Sequence, residues 1–331
     1  MMNILTFDVE EWYLEKILHE GRAFRYQQFD ETLTKVLDEL DRLGLKATCF
    51  CLGKLATDFP QVVREIARRG HEVGCHSNEH VWLNRMTEEQ LRQDTTEALK
   101  ALEDVTGQKV VSYRAPAFSI TAENKWAVNV LADCGIENDA TIFPTNRDLG
   151  GYKGFPQDTP CIISHEGATL KEYPICLTSV MGRQIAYSGG GYFRLLPLWM
   201  VNRAIRHRDY NICYFHLSDL INYRFELKSR EEYEAYFKEP GTLKNRVMRY
   251  VKTNIGHGNA FGKFTELLSK HRFVNIQEAN QLIDWNNSTI IELKENTVMN
   301  TVKKPVGGGN FCPLTIPLRE ICYEPYVAKC A

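Results

Sequence analysis

The sequence predicts an α/β protein built on a parallel sheet or barrel. Three observations carry this. Short apolar runs alternate with stretches of helical spacing, the turns between them are short, and polar residues recur just past the apolar runs, where a parallel sheet gathers function. A chain of 331 residues can bury one large core or two modest ones. Its 44% hydrophobic and 25% charged residues are ordinary for a soluble globular protein. A net charge of -2 gives no bulk attraction to nucleic acid or an anionic membrane, and no apolar run approaches a bilayer span. The ten cysteines follow no disulfide framework. Cys49, Cys51, Cys75 and Cys213 sit in apolar runs and read as buried thiols, while Cys312, Cys322 and Cys330 are too far apart for a zinc knuckle. With no basic leader or cleavage site at Met1-Met2-Asn3-Ile4, the expectation is a reduced, cytoplasmic protein without a transmembrane segment.

Residues 3–7 form the first strand. The aromatic-rich segment from Trp12 to Gln28 reads as a loop over a site, and Asp30 as the N-cap of a helix through Leu33, Val36, Leu37, Leu40 and Leu43 that Gly44 ends. Residues 47–52 are the second strand. Pro60 opens a helix with Val62, Val63 and Ile66 on its inner face, stopped by Gly70. Residues 71–75 are a third strand. Thr87-Glu88-Glu89-Gln90 is a capping box for a helix to about Val105. Residues 110–113 are a fourth strand, followed by a helix over roughly 122–134. From Asp139 to Gly191 prolines and glycines break the pattern. Gly189-Gly190-Gly191 lacks the Lys-Ser/Thr and helix start of a phosphate loop, and reads as backbone packed closely against a neighbour. A helix over 198–207, a strand over 212–215, a helical region over 229–283 and a last strand over 273–276 follow; past about Asn286 no periodicity is visible.

Four strand ends hold candidate groups: Asp8 and Glu10, His76 and His80, Arg114, and His216. Two imidazoles four positions apart, leaving a strand, can face one cation. If the strands share a sheet, two carboxylates join them, the ligand set of a hydrolytic zinc site with an open position. His-Ser-Asn-Glu-His places Glu beside the second histidine, which excludes a zincin. No Gly-x-Ser-x-Gly elbow supports a serine triad.

Seven pieces occur in order across about residues 3–285: Thr6-Phe7-Asp8-Val9-Glu10-Glu11-Trp12, Ala47 to Gly53, His71 to His80, Tyr113-Arg114-Ala115-Pro116, Asp139 to Pro144, Gly189 to Arg194, and Tyr214-Phe215-His216. Together they resemble the NodB-homology polysaccharide deacetylases, carbohydrate esterase family 4, and most closely the subgroup of exopolysaccharide gene clusters. The resemblance implies a distorted (β/α) barrel of about seven strands over 1–285, with 286–331 as an extension of unknown role. It implies metal-dependent removal of an N-acetyl group from an amino sugar in surface-glycan synthesis.

Carried over by residue, Asp8 is the general base, Arg114 holds it, and His216 is the general acid. The family usually has a second aspartate at position 9. Here that position is Val, so the metal carboxylate falls to Glu10, beside His76 and His80, as in relatives with an Asp-x-Asp form. The implied cofactor is a divalent metal, Zn2+ foremost, with Co2+, Ni2+ or Mn2+ as substitutes. Candidate substrate contacts are Trp12, Pro116, Phe118, Asp139, Tyr192 and Arg194, and the partner is an N-acetylated sugar or glycan precursor with no nucleic acid. After His216, relatives commonly show Pro-Trp-Glu, and this chain has Leu217-Ser218-Asp219. Hydrolysis of a small linear or cyclic amide, and glycan binding with weakened catalysis, are the alternative readings.

Overall fold

In the computed structural model, residues 1–294 are described apart from 20, 146, 148, 149, 181, 223–225 and 238 and the side chain of 183. The strands are β1 (Met2–Val9), β2 (Thr48–Cys51), β3 (Glu72–Cys75), β4 (Ser112–Tyr113), β5 (Asn138–Asp139), β6 (Cys161–His165), β7 (Ala168–Glu172), β8 (Leu177–Val180), β9 (Arg183–Ala186), β10 (Tyr210–His216) and β11 (Ile290–Glu292). Nine join one sheet in the order β10-β1-β2-β3-β4-β5-β7-β6-β11, and β8 pairs with β9 apart from it. From β10 to β7 every neighbour is parallel, which makes seven parallel strands. Strand β6 then runs antiparallel to β7, and β11 parallel to β6.

The parallel run curls back on itself. Tyr210 at the start of β10 donates its hydroxyl to Pro174 O at 2.9 Å, just past β7. The outward carbonyls of Tyr210 and Ile212 accept from the Cys176 thiol at 3.6 Å and the Ser188 hydroxyl at 2.7 Å. These side-chain donors, with the backbone bond from Tyr214 N to Ser188 O at 3.2 Å, close the wall where a regular barrel has a full backbone ladder, and this is the distortion of the barrel. β1 is apolar and buried along almost its whole length because it has neighbours on both edges and helices outside. Phe7, Phe215, Phe193 and Phe264 pack as tilted or edge-on rings at 5.0–6.0 Å on the core side of β1 and β10.

Several sequence expectations change here. The segment 12–28 is not a loop: helices run over Glu11–His19 and Ala23–Leu43. Trp12 and Tyr13 mark burial there, while Phe24 is exposed. The Trp12 ring is 1% exposed, packs on Phe29 and donates Nε1 to Asp30 at 3.0 Å, so Asp30 is an acceptor inside a helix and not its N-cap. Gly44 does end that helix, at φ +63°, and the Thr87 capping box and Gly107 bound Glu88–Thr106. The helix placed at 122–134 is shorter, Ala127–Asp133. A helix start does follow Gly189, over Gly190–Leu195, although no Lys-Ser/Thr follows it. Gly189 itself lies against Tyr214, and any side chain there would strike the Tyr214 carbonyl. Of 273–276 only Val274 bridges to β1; Ile276 begins a helix that Asn275 caps. Residues 290–292, past the last periodicity visible in the sequence, add β11 to the sheet. Cys312, Cys322 and Cys330, with the other residues beyond 294, lie outside the described residues.

Candidate active site

The C-terminal ends of β1, β3, β4 and β10 meet on one face of the sheet. Asp8 on β1 is in register with His216 on β10, and Cys51, Cys75 and Tyr113 align β2, β3 and β4. The ladder continues one residue beyond β3 and β4: His76 N donates to Cys51 O and Arg114 N to Cys75 O, each at 2.9 Å. Main-chain hydrogen bonds thus fix where His76 and Arg114 leave the sheet.

Arg114 is fully buried and crosses the barrel interior. Its Nη1 donates to Asp8 Oδ1 and to Thr6 Oγ1, both at 2.8 Å, and its Nε donates to Ala140 O at 3.0 Å. Its guanidinium carbon lies 4.4 Å from the Phe50 ring centroid and 5.7 Å from that of Phe118. Burial alone would raise the Asp8 carboxyl; Arg114, with His76 and His216, outweighs burial and holds it below the usual carboxylate value.

His76 Nδ1 pairs with Arg114 O at 2.7 Å. A carbonyl only accepts, so Nδ1 carries a proton, and Nε2 is the nitrogen presented to Glu10. That Nε2 lies 3.4 Å from Glu10 Oε2, and His80 Nε2 lies 2.7 Å from the same oxygen. The donor atoms of Glu10, His76 and His80 all fall within 4.8 Å of one another. Glu10 Oε2 is buried and accepts no hydrogen bond of proper geometry. Two ring nitrogens converging on one orphaned oxygen fit a shared cation better than a hydrogen-bonded cluster, and one carboxylate with two imidazoles is a donor set suited to zinc and its neighbours. Burial would raise Glu10 too, but His80 and His216 bring it well below its usual value, so it is ionised and ready to ligate.

The turn from His76 to His80 is strained and firmly held. Ser77 and His80 have φ of +70° and +60°, uncommon for residues with side chains. Gly53 N donates to Ser77 O, Lys54 N to Asn78 O, His80 N to Ser77 Oγ and Asn78 N to Asp94 Oδ2, at 2.9–3.1 Å. These bonds force the chain to double back and turn both imidazoles to one side. Tyr236 lies nearly parallel to His80, at 9° and 6.4 Å between centroids, and forms a wall of the site.

On the other side, His216 Nε2 faces Asp8 Oδ2 at 3.8 Å and Glu10 Oε1 at 3.6 Å. Its Nδ1 faces Asp219 Oδ2 at 3.3 Å, and Arg194 Nη1 donates to Asp219 Oδ1 at 2.6 Å. Burial would lower the imidazole; Asp219, Glu10 and Asp8 override it and push it up to about 10, so it is cationic at neutral pH. Glu11 bolts the two halves together by accepting Ser218 N at 2.7 Å, and burial pushes its carboxyl up to about 7.

The structure thus gathers Asp8, Glu10, His76, His80, Arg114 and His216. It does not bring all the expected substrate contacts to the surface of the site. Trp12 is a core residue. Asp139 is fully buried, in register with Glu172 on β7, and accepts from Thr141 at 2.5 Å. Pro116 is buried, and Phe118 packs edge-on against Phe143 and Tyr214 behind Arg114. Arg194 is buried and serves His216 through Asp219. Tyr192 is 42% exposed. Sequence reading missed Asp219, Glu11 and Tyr236. The first two had a signal: an acid three residues after His216, where it closes the first turn of a helix, and a third carboxylate directly after Glu10.

Comparison with known proteins bears on this geometry. Residues 4–138 match the family model described as polysaccharide deacetylase, and residues 140–281 match a domain of unknown function, DUF3473. The peptidoglycan-N-acetylglucosamine deacetylase of Bacillus cereus is 31% identical over 130 residues, 39% of this chain and 44% of that protein. A protein of the same description from Listeria monocytogenes is 35% identical over 81 residues, 24% of this chain and 17% of that protein. The chain therefore spans less than half of either relative. The crystal structure of a candidate polysaccharide deacetylase from Mycobacterium smegmatis superposes with a TM-score of 0.54 at 19% identity, over 85% of this chain and 89% of that one. At that identity the likeness speaks for the fold.

Proposed function

Since the chain belongs to the polysaccharide deacetylases, in the subgroup of exopolysaccharide gene clusters, we propose that it hydrolyses the N-acetyl group of an amino sugar in a glycan or glycan precursor. One observation carries the reading: a buried base (Asp8 under Arg114), a candidate metal triad (Glu10, His76, His80) and a cationic histidine (His216) occupy one face of the barrel within hydrogen-bond or near-contact distance.

An amide is a poor electrophile and water a poor nucleophile. His76, His80 and Glu10 would hold a divalent ion, which would supply polarisation of the carbonyl and make the attacking water more acidic. The protein's own groups do the rest. Asp8, kept ionised by Arg114, accepts the proton of the attacking water. Its second oxygen, Oδ2, is the one turned towards His216. His216, protonated and steadied by Asp219, faces the developing oxyanion and donates its proton to the departing amine. Each of these acid–base roles is worth roughly 10²- to 10⁴-fold. Arg194 acts through Asp219.

The test is acetate release. Protein loaded with zinc, cobalt or nickel is offered N-acetylglucosamine oligomers, peptidoglycan fragments and nucleotide-linked N-acetyl sugars, with His76→Ala as control. Acetate from one of these substrates, absent in His76→Ala, supports the reading. Tight metal binding with no acetate from any of them, or ammonia or formate as product from a small amide, overturns it.

A further inference from the structure

Helix Leu243–Asn254 is built inside out. None of its 12 residues is buried. Leu243, Val247, Val251 and Ile255 recur every four positions, so they share one face, and Met248 borders it. Their exposures are 63%, 41%, 50%, 41% and, for Met248, 46%. The opposite face carries Arg246, Arg249, Tyr250 and Thr253, at the i, i+3, i+4, i+7 spacing, and these line a cavity of about 120 Å³ together with Arg22, Arg25 and Glu232. A soluble helix ordinarily points its apolar stripe inward. Here the inner side is committed to arginines, and the oily side faces out.

The charge on this helix limits what can cover it. Residues 243–255 hold no acid in a chain of net charge -2, and of their four cations Arg246 and Arg249 line the cavity, which leaves Lys244 and Lys252 for the outer side. Lys244 and Lys252 are both exposed. Packing against a second copy of the same face would set these cations against their equivalents, which is unfavourable. An anionic lipid surface answers both features: apolar side chains enter the acyl boundary while lysines reach the headgroups. The neighbouring helix Arg230–Phe237 holds three acids: Glu234 is bound to Arg230 at 2.9 Å and to Gly241 N at 2.8 Å, Glu232 accepts Ser229 N at 2.7 Å, and Glu231 is exposed. The adjoining helix Gly190–Leu195 is tied on by Arg194 Nη2 to Lys252 O at 3.2 Å and brings exposed Tyr192 and Leu195.

We infer that the face of helix Leu243–Asn254 docks the protein on an anionic phospholipid surface. The active site sits one helix away, since Tyr233 and Phe237 line the cavity behind the docking helix while Tyr236 of the same turn lies over His80. Docking would thus hold the site beside glycans carried at that surface.

The experiment is co-sedimentation of the full chain with phosphatidylcholine vesicles, with and without phosphatidylglycerol, in low and high salt. Binding to the anionic vesicles alone, weakened by salt, is expected. Val247→Glu/Val251→Glu should abolish it with circular dichroism and zinc content unchanged. Lys244→Gln, which leaves the apolar stripe intact, should weaken it about fivefold. No binding to anionic vesicles, equal binding to neutral ones, or a concentration-dependent dimer that the double variant dissolves, would overturn the inference. None of these readouts depends on deacetylase activity.

Discussion

The base side and the acid side of the site are held in different ways. Asp8, Arg114, His76 and Glu10 are almost completely buried, and the backbone ladder sets the exits of His76 and Arg114. His216 keeps 29% of its side chain exposed and is steadied by a relay of charged side chains, Asp219 and then Arg194, with Arg194 anchored to a main-chain carbonyl of the helix over 243–254. One side is fixed by the sheet itself. The other hangs on electrostatics between elements far apart in sequence. Substitution on the first side should therefore remove function or stability outright, and on the second should shift how function depends on pH.

The largest expected effect is at the proposed metal triad. His76→Ala or His80→Ala should lose bound zinc by elemental analysis and lower acetate release by more than the roughly 10²- to 10⁴-fold of a single acid–base group. Asp8→Asn should fall within that 10²- to 10⁴-fold range in kcat while zinc content stays the same, which separates base from ligand. Arg114→Met leaves the Asp8 carboxylate buried without its partner and should cost about 3–5 kcal/mol by urea unfolding.

The acid side should answer differently. In the proposed mechanism His216 acts when protonated, and Asp219 is first among the groups that raise it. In Asp219→Asn the alkaline limb of kcat/KM should move down by about 1–3 pH units, with zinc content unchanged. An unmoved limb would show that the relay does not tune the acid.

Glu11, the bolt between the halves, gives the smallest effect. Its carboxyl is raised in the folded protein to about 7 from an ordinary 4.5. A raised folded value contributes stability that is complete below pH 4.5 and is lost as pH climbs through about 7. Glu11→Gln should remove about 1–3 kcal/mol of that pH-dependent loss, read as thermal unfolding between acidic and mildly alkaline buffer.

The same contrast explains what could be read from the sequence. The base side was legible because its residues sit immediately past apolar runs, and a parallel sheet allows few places for those ends to go. The alternation of strands and helices gave a parallel sheet or barrel for the same reason, while the count of about seven strands came with the family resemblance. Trp12 and the segment around it were misread because aromatic density marks a ligand-facing loop and a buried helix equally, and only packing against Phe29 decides between them. Asp139 and Arg194 lie in family-like pieces of sequence, yet their neighbours Thr141 and Asp219 turn them inward. β11 is three residues long, too short for any period to show, and it forms because β6 offers it an edge. Asp219 was the most recoverable omission, since its spacing from His216 is itself a local rule.

The side-chain closure of the wall between β10 and the segment after β7 has a mechanical meaning. Tyr210, Cys176 and Ser188 each contribute one side-chain bond there, worth about 1 kcal/mol apiece, beside the main-chain bond from Tyr214 N to Ser188 O, where a ladder would contribute a cooperative row. Slow breathing of the molecule should start along that line, and amides flanking it should take up deuterium before those of β1 and β2. β10 carries His216, so the proposed proton donor rides on the staves that part most easily, while the proposed cation cradle stays on those that part last.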